Sequence, residues 1–285
     1  MLEPFGARLR TLTDKLGPLC VGVDPHPSLL RSWGLADDPA GLERFAMTCV
    51  EALAGEVAVV KPQSAFFERH GSAGIAVLEK AVSEFRSGGT LLLLDAKRGD
   101  IGSTMQGYAD AYLDQTSPLA VDALTVHPYL GFGSLRPVID TAHAQGAGVF
   151  VLALTSNPEG PEVQAARTGD RTVAGHLLAA IKAVNEAGGS SGSIGAVVAA
   201  NLAHLSEDVA IGGPLLAPGF GAQGGTAADL ERLFGGLSEV VLPTSSRGVL
   251  EAGPSAGALR AAAARTNDDA VRALSAKRAH RDLPT

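Results

Sequence analysis

Eight short apolar runs, each followed by a stretch with helical spacing, constrain this chain more than any other feature. The runs lie at residues 19–23, 57–60, 91–94, 123–126, 149–154, 196–199, 215–217 and 240–243. None alternates with polar residues, as expected of strands covered on both faces in a parallel sheet. Between them, residues 41–54 place Leu42, Phe45, Cys49 and Leu53 on one stripe, and residues 74–85 do the same with Ile75, Leu78, Val82 and Phe85. Further helices are expected at 104–115, 134–145, 173–186, 226–234 and 255–264, with a shorter one at 202–210. Such alternation implies right-handed crossovers around a parallel sheet. Eight repeats favour closure, so the expectation is an α/β chain forming a single-domain (β/α)8 TIM barrel over residues 1–266. No GxGxxG turn follows the first run, which argues against a dinucleotide fold. Residues 156–171 read as a polar excursion, 188–193 (GGSSGS) as a flexible link, and 267–285 as a polar C-terminal frayed helix or tail.

Composition narrows the function classes. At 46% hydrophobic and 19% charged residues the chain can bury a large core, and with 5% aromatics that core must be mostly Ala, Val, Leu and Ile. The net charge of −7, with no basic tract before the last few residues, argues against nucleic acid as a partner. Cys20 and Cys49 sit in apolar surroundings without metal-ligand spacing, which fits a reducing compartment and no disulfide framework. No apolar run approaches the ~20 residues needed to span a bilayer. The N-terminus lacks an apolar signal core. A soluble, cytoplasmic protein without membrane partners is expected.

The chemistry is expected at the C-terminal ends of the strands. Residues 91–104 read LLLLDAKRGDIGST, delivering Asp95, Lys97 and Asp100 directly after a buried run. On an extended chain Asp95 and Lys97 point the same way. Two carboxylates around one ammonium would hold it charged, ready to act as an acid. Asp24 follows the first run, Lys61 the second, His127 the fourth, and Thr155, Ser156 and Asn157 the fifth. After the seventh comes PGFGAQGG, with Gln223, Gly224 and Gly225, and after the eighth SSRG, with Arg247. Glycine-rich backbone can approach an anion closely, Gln223 adds an amide, and Arg247 adds a bidentate donor that stays charged. Together they read as a phosphate site. His127 reads as a packed structural residue, Asp110 and Asp114 as a solvated pair rather than a metal site, and Trp33 as a local packing anchor.

The set VGVDP, VVKPQ, LDAKRGDIGST, TVHPYLG, LTSNPEG, PGFGAQGG and SSRG resembles the orotidine 5′-phosphate decarboxylase family, most closely its longer bacterial class, from about Gly22 to Arg247. The resemblance implies conversion of orotidine 5′-phosphate to uridine 5′-phosphate and CO2 in de novo pyrimidine synthesis. It implies no metal or cofactor, and a homodimer with shared sites. On the matching positions, Asp24 and Lys61 would contact ribose hydroxyls, and Asp95 would sit beside the substrate carboxylate and hold Lys97. Lys97 would protonate C6. Asp100 and Thr104 would reach into the partner's site, Ser156 would read the pyrimidine edge, and Gln223 and Arg247 would grip the phosphate. Three other readings stay open. A Mg-dependent sugar-phosphate decarboxylase or aldolase of the same superfamily would need an acid where Lys61 stands. A Schiff-base aldolase would need a neutral Lys97, against the pull of the flanking carboxylates. A non-catalytic phosphate-binding barrel would leave the charged trio without a task.

Overall fold

A computed structural model describes residues 2–188, 192–237 and 240–275 of the chain. The barrel strands are β1 (Cys20–Val23), β2 (Val59–Pro62), β3 (Leu91–Arg98), β4 (Ala123–Val126) and β5 (Gly148–Leu154). After a small hairpin of β6 (Arg167–Thr168) and β7 (Arg171–Thr172) come β8 (Ile194–Val198), β9 (Leu215–Pro218) and β10 (Val241–Ser245). They close in the order β1-β2-β3-β4-β5-β8-β9-β10, with β10 returning to β1, and every barrel pairing is parallel. This is the (β/α)8 barrel that the apolar runs predict.

Side-chain alternation explains why those runs are unbroken. Val59, Leu93, Ala123, Phe150 and Leu242 belong to the cluster inside the barrel, whereas Val60, Leu92, Leu94 and Leu124 belong to the larger one beneath the helices. Both faces are buried, so both parities must be apolar. Trp33 acts as a local anchor: its indole donates to the Leu250 carbonyl at 3.0 Å and its ring packs against Phe45. A side chain at Gly253 would collide with the Trp33 ring.

The N-terminal end of the barrel is plugged by helix Phe5–Leu16, which is not among the expected helices. Phe5 and Leu9 are fully buried there, and Phe5 meets Phe150 edge-on at 6.0 Å. Gly148 makes this possible, because a Cβ at that position would lie 2.4 Å from the Phe5 ring. Arg8 fixes the plug by pairing with Asp122 at 2.5 Å and donating to the Gly146 carbonyl at 2.9 Å.

Three expectations need correction. Residues 202–210 form no helix. Their backbone groups are taken by side chains instead: Arg232 donates to the Leu202 and Ala203 carbonyls, and Asp208 accepts from the Ala210 amide. The excursion at 156–171 is more than the polar loop expected, since it holds helix Gly160–Gln164 followed by the β6–β7 hairpin. The final helix does not fray at 267; it runs unbroken over Ala256–Ser275. Asn267 ties it to the N-terminal region, accepting from the Leu19 amide at 3.1 Å and donating to the Leu16 carbonyl at 2.9 Å, while Ala270 and Ala273 are buried. Of the supposed GGSSGS link, residues 189–191 lie outside the described residues, as do 276–285 of the tail. Among the described residues no helix is long and apolar enough to cross a membrane.

Candidate active site

Lys61, Asp95 and Thr125 end up on one inward-facing layer because each lies two residues beyond an interior residue of its strand: Val59, Leu93 and Ala123. Asp95 is the hub. Its Oδ2 accepts from Lys61 Nζ at 2.9 Å, and its Oδ1 accepts from Lys97 Nζ at 2.6 Å and from Thr125 Oγ1 at 2.8 Å. Gln63 donates to the Asp95 carbonyl at 3.0 Å. Asp95 is 7% exposed and Lys61 5%.

Burial alone would drive both groups toward neutrality. For Asp95 the two ammonium groups override it and hold the carboxyl well below the usual carboxylate range. For Lys61 burial is overridden by Asp95 and then Asp24, which raise it above the ordinary lysine value. Beneath them, burial pushes the Cys20 thiol up to about 12, so it stays protonated. Cys20 and Cys49 are both free and buried.

Lys97 reaches Asp95 by a different route from the extended strand expected. Its φ is +47°, a left-handed backbone that is uncommon outside glycine. Leu94 pairs with Leu124, but the next partner of Val126 is Arg98, so β3 carries two extra residues at this point. Lys97 sits in that bulge and its long side chain turns back over Asp95. Gly99 then passes so close to His127 that a Cβ would lie 2.5 Å from Nε2.

Within one chain Asp100 does not join Asp95 on the Lys97 ammonium. Within this chain its Oδ1 accepts from the Ile101 amide at 2.8 Å, and the only carboxylate on Lys97 among the described residues is Asp95. Helix Gly102–Leu113 begins two residues after Asp100. Thr104 is exposed on its first turn.

Of the remaining predicted residues, Ser156 and Gln223 line the mouth. A cavity of about 1070 Å³ brings Lys97, Ser156 and Gln223 together with His127, Thr155 and Phe132. Asp24, Lys61, Asp95 and Arg247 are not in its lining. The loop bearing Gln223 is a compact turn: Gly219, Gly221 and Gly224 have φ of +100°, +80° and +96°. Gly221 donates to the Gly225 carbonyl at 2.8 Å, Gly225 to the Gly219 carbonyl at 2.9 Å, and Asn201 to the Gln223 carbonyl at 3.3 Å. Arg247 is exposed at the start of the short helix Arg247–Leu250, and its guanidinium pairs with no acid among the described residues. Buried polar atoms without partners gather on this side of the barrel: Asp24 Oδ1, Ser245 Oγ and Ser246 Oγ. Buried groups of this kind are costly unless something supplies the missing bond. Asp110 and Asp114 only accept from neighbouring polar groups of the exposed helix end, Gln106 and Thr116. Among the described residues no group of three or more His, Cys, Asp and Glu converges as a metal site.

Sequence reasoning missed Thr125 and Gln63. Both lie in quoted motifs, TVHPYLG and VVKPQ, but their contacts depend on strand register.

Fold and site together define a (β/α)8 barrel that carries a Lys–Asp–Lys charge cluster and a glycine-rich loop at the C-terminal ends of its strands. The family model described as Orotidine 5′-phosphate decarboxylase / HUMPS family matches residues 17–262, and the chain belongs to that family. It is 61% identical over 266 residues to the orotidine 5′-phosphate decarboxylase of Streptomyces coelicolor, covering 93% of this chain and 96% of that one. A crystal structure from Streptomyces avermitilis is similar with a TM-score of 0.93 at 60% identity, covering 96% of this chain and 97% of that chain. The Leishmania donovani OMP decarboxylase follows with a TM-score of 0.71 at 27% identity, over 94% and 99% of the two chains.

Proposed function

We propose that this chain decarboxylates orotidine 5′-phosphate to uridine 5′-phosphate and CO2 in de novo pyrimidine biosynthesis, with Lys97 as the proton donor. The observation that carries the reading is the Lys97 ammonium, held 2.6 Å from an ionised Asp95 and opening on a cavity that also contains Gln223. The bond from C6 to the carboxyl carbon breaks, its electron pair stays on C6, and CO2 leaves neutral. Lys97 then gives its proton to C6 and regains one from solvent.

Only interactions that strengthen on the way to the transition state speed this step. Asp95 is buried and kept charged, so a substrate carboxylate placed beside it starts in an unfavourable field. At ~4 Å and an effective dielectric of ~20 the repulsion is about 4 kcal/mol, and it vanishes as CO2 departs. The Lys97 ammonium favours the carbanion as it forms. Lys61 keeps Asp95 ionised throughout. Asp24 Oδ1, a buried acceptor without a partner, suits a ribose hydroxyl. Gln223, Gly224, Gly225 and Arg247 take the phosphate, whose binding energy orders the mouth. Ser156 reads the pyrimidine edge.

The working unit is a homodimer in the cytoplasm, with Asp100 and Thr104 contributed to the partner's site. Ile101, Tyr129 and Leu130 support this, being large apolar side chains left 61%, 76% and 51% exposed on the same rim.

The test follows orotidylate absorbance in chelator-treated buffer. The wild-type chain turns over there, and Lys97→Ala loses turnover by at least ~1000-fold while still binding uridine 5′-phosphate. Turnover retained in Lys97→Ala, or abolished by the chelator, would overturn the reading.

A further inference from the structure

We propose that Thr125 is a positioning residue for the reaction: its hydroxyl locks the left-handed turn that brings the Lys97 ammonium onto Asp95. The inference rests on the reading of Lys97 and Asp95 as the reacting pair. Thr125 is 1% exposed. It accepts from the Lys97 backbone amide at 3.0 Å and donates to Asp95 Oδ1 at 2.8 Å. One oxygen therefore joins the backbone of the proton donor to the carboxylate that orients its side chain.

The direction of these bonds is forced. An amide N–H can only donate, so the Thr125 oxygen accepts from Lys97, and its own proton is free for Asp95. That proton finds an acceptor there because the carboxylate is ionised. The bridge thus couples backbone geometry to the charge state of Asp95.

The need for such a lock follows from the bulge. A lysine with φ of +47° is strained, and strain persists only where the surroundings over-determine it. Outside the barrel, Arg98 is gripped between the rings of Tyr108 and Tyr112 at 5.6 and 5.9 Å, pairs with Glu68, and accepts from the His127 amide at 2.9 Å through its carbonyl. Inside, the Lys97 amide donates to Thr125. Without it the turn is held from one side only. The ammonium, on a flexible stem 46% exposed, then loses its fixed approach to the reacting carbon.

The experiment compares Thr125→Val, of nearly the same shape but without the hydroxyl, with Thr125→Ser, which keeps it. Thr125→Val is expected to lower kcat by roughly 10- to 100-fold with KM within about 3-fold of wild type, and Thr125→Ser to stay within about 3-fold on both. Hydrogen exchange in the peptide spanning residues 95–100 should quicken in the valine variant and not in the serine one. If Thr125→Val does not fold, Thr125→Ala carries the same expectation. The inference is overturned if kcat of the hydroxyl-free variant is unchanged, or if the serine variant loses as much as the valine one. Lys97→Ala is run alongside. Turnover in that control would defeat the reading of the pair itself, whereas an inactive control with an unaffected Thr125→Val defeats only the role given to Thr125.

Discussion

Asp95 accepts from three donors in a space almost closed to water, and its removal has consequences beyond chemistry. Lys61 would be left buried with only the more distant charge of Asp24 to balance it. Breaking a buried pair by deleting one partner costs about 3–5 kcal/mol, so Asp95→Ala should lower the urea unfolding free energy by that amount. A loss under ~1 kcal/mol would mean that water reaches Lys61. The pH dependence follows from the two shifts. The depressed Asp95 contributes stability above the ordinary value of 3.8 and gives it up as pH falls through its lower folded value. The raised Lys61 contributes below 10.5 and gives it up as pH rises through its higher folded value. Neither titrates between about pH 5 and about pH 9. The acid limb of a kcat profile in that window should therefore be the same in wild type and Thr125→Ser. Below pH 4, stability should fall more steeply in wild type than in Asp95→Asn.

At the scale of elements, the strands were readable because burial on both faces leaves each one a continuous apolar run. Residues on a single strand end, such as Lys61, Asp95 and Lys97, were readable for the same reason. Thr125 was not, since register between β3 and β4 is a property of the assembled barrel. The bulge at Lys97 was hidden too, because no glycine or proline marks it. The helix expected at 202–210 failed because Leu202, Leu205 and Val209 have helical spacing but are packed as an irregular segment whose carbonyls Arg232 captures. Helix Phe5–Leu16 carries no visible apolar stripe because only Phe5, Gly6 and Leu9 are buried. Its docking is nevertheless specific. Gly148→Ala would force a methyl group into the Phe5 ring, and overpacking of this kind costs about 1–3 kcal/mol. Thermal unfolding should show that loss in Gly148→Ala, and the double variant with Phe5→Leu should recover part of it.

For the whole molecule, the mouth and the plugged end have opposite characters. The mouth exposes Ile101, Tyr129 and Leu130 beside Asp100 and Thr104, all on or next to the loops after β3 and β4. Sedimentation should give twice the 29.0 kDa chain mass. Tyr129→Glu with Leu130→Glu should shift the protein toward single chains and reduce turnover in parallel. A wild-type protein that sediments as a single chain at full activity would remove the partner from the proposed site.

The tie between Asn267 and the Leu16–Leu19 segment spans 248 and 251 positions of sequence. On the ribosome, the plug helix emerges long before its clasp exists, so the staves stand open until nearly the whole chain has been released. The tie also binds the closing helix to the segment that leads into β1, so loosening the clasp at Asn267 frees the first stave and the plug together.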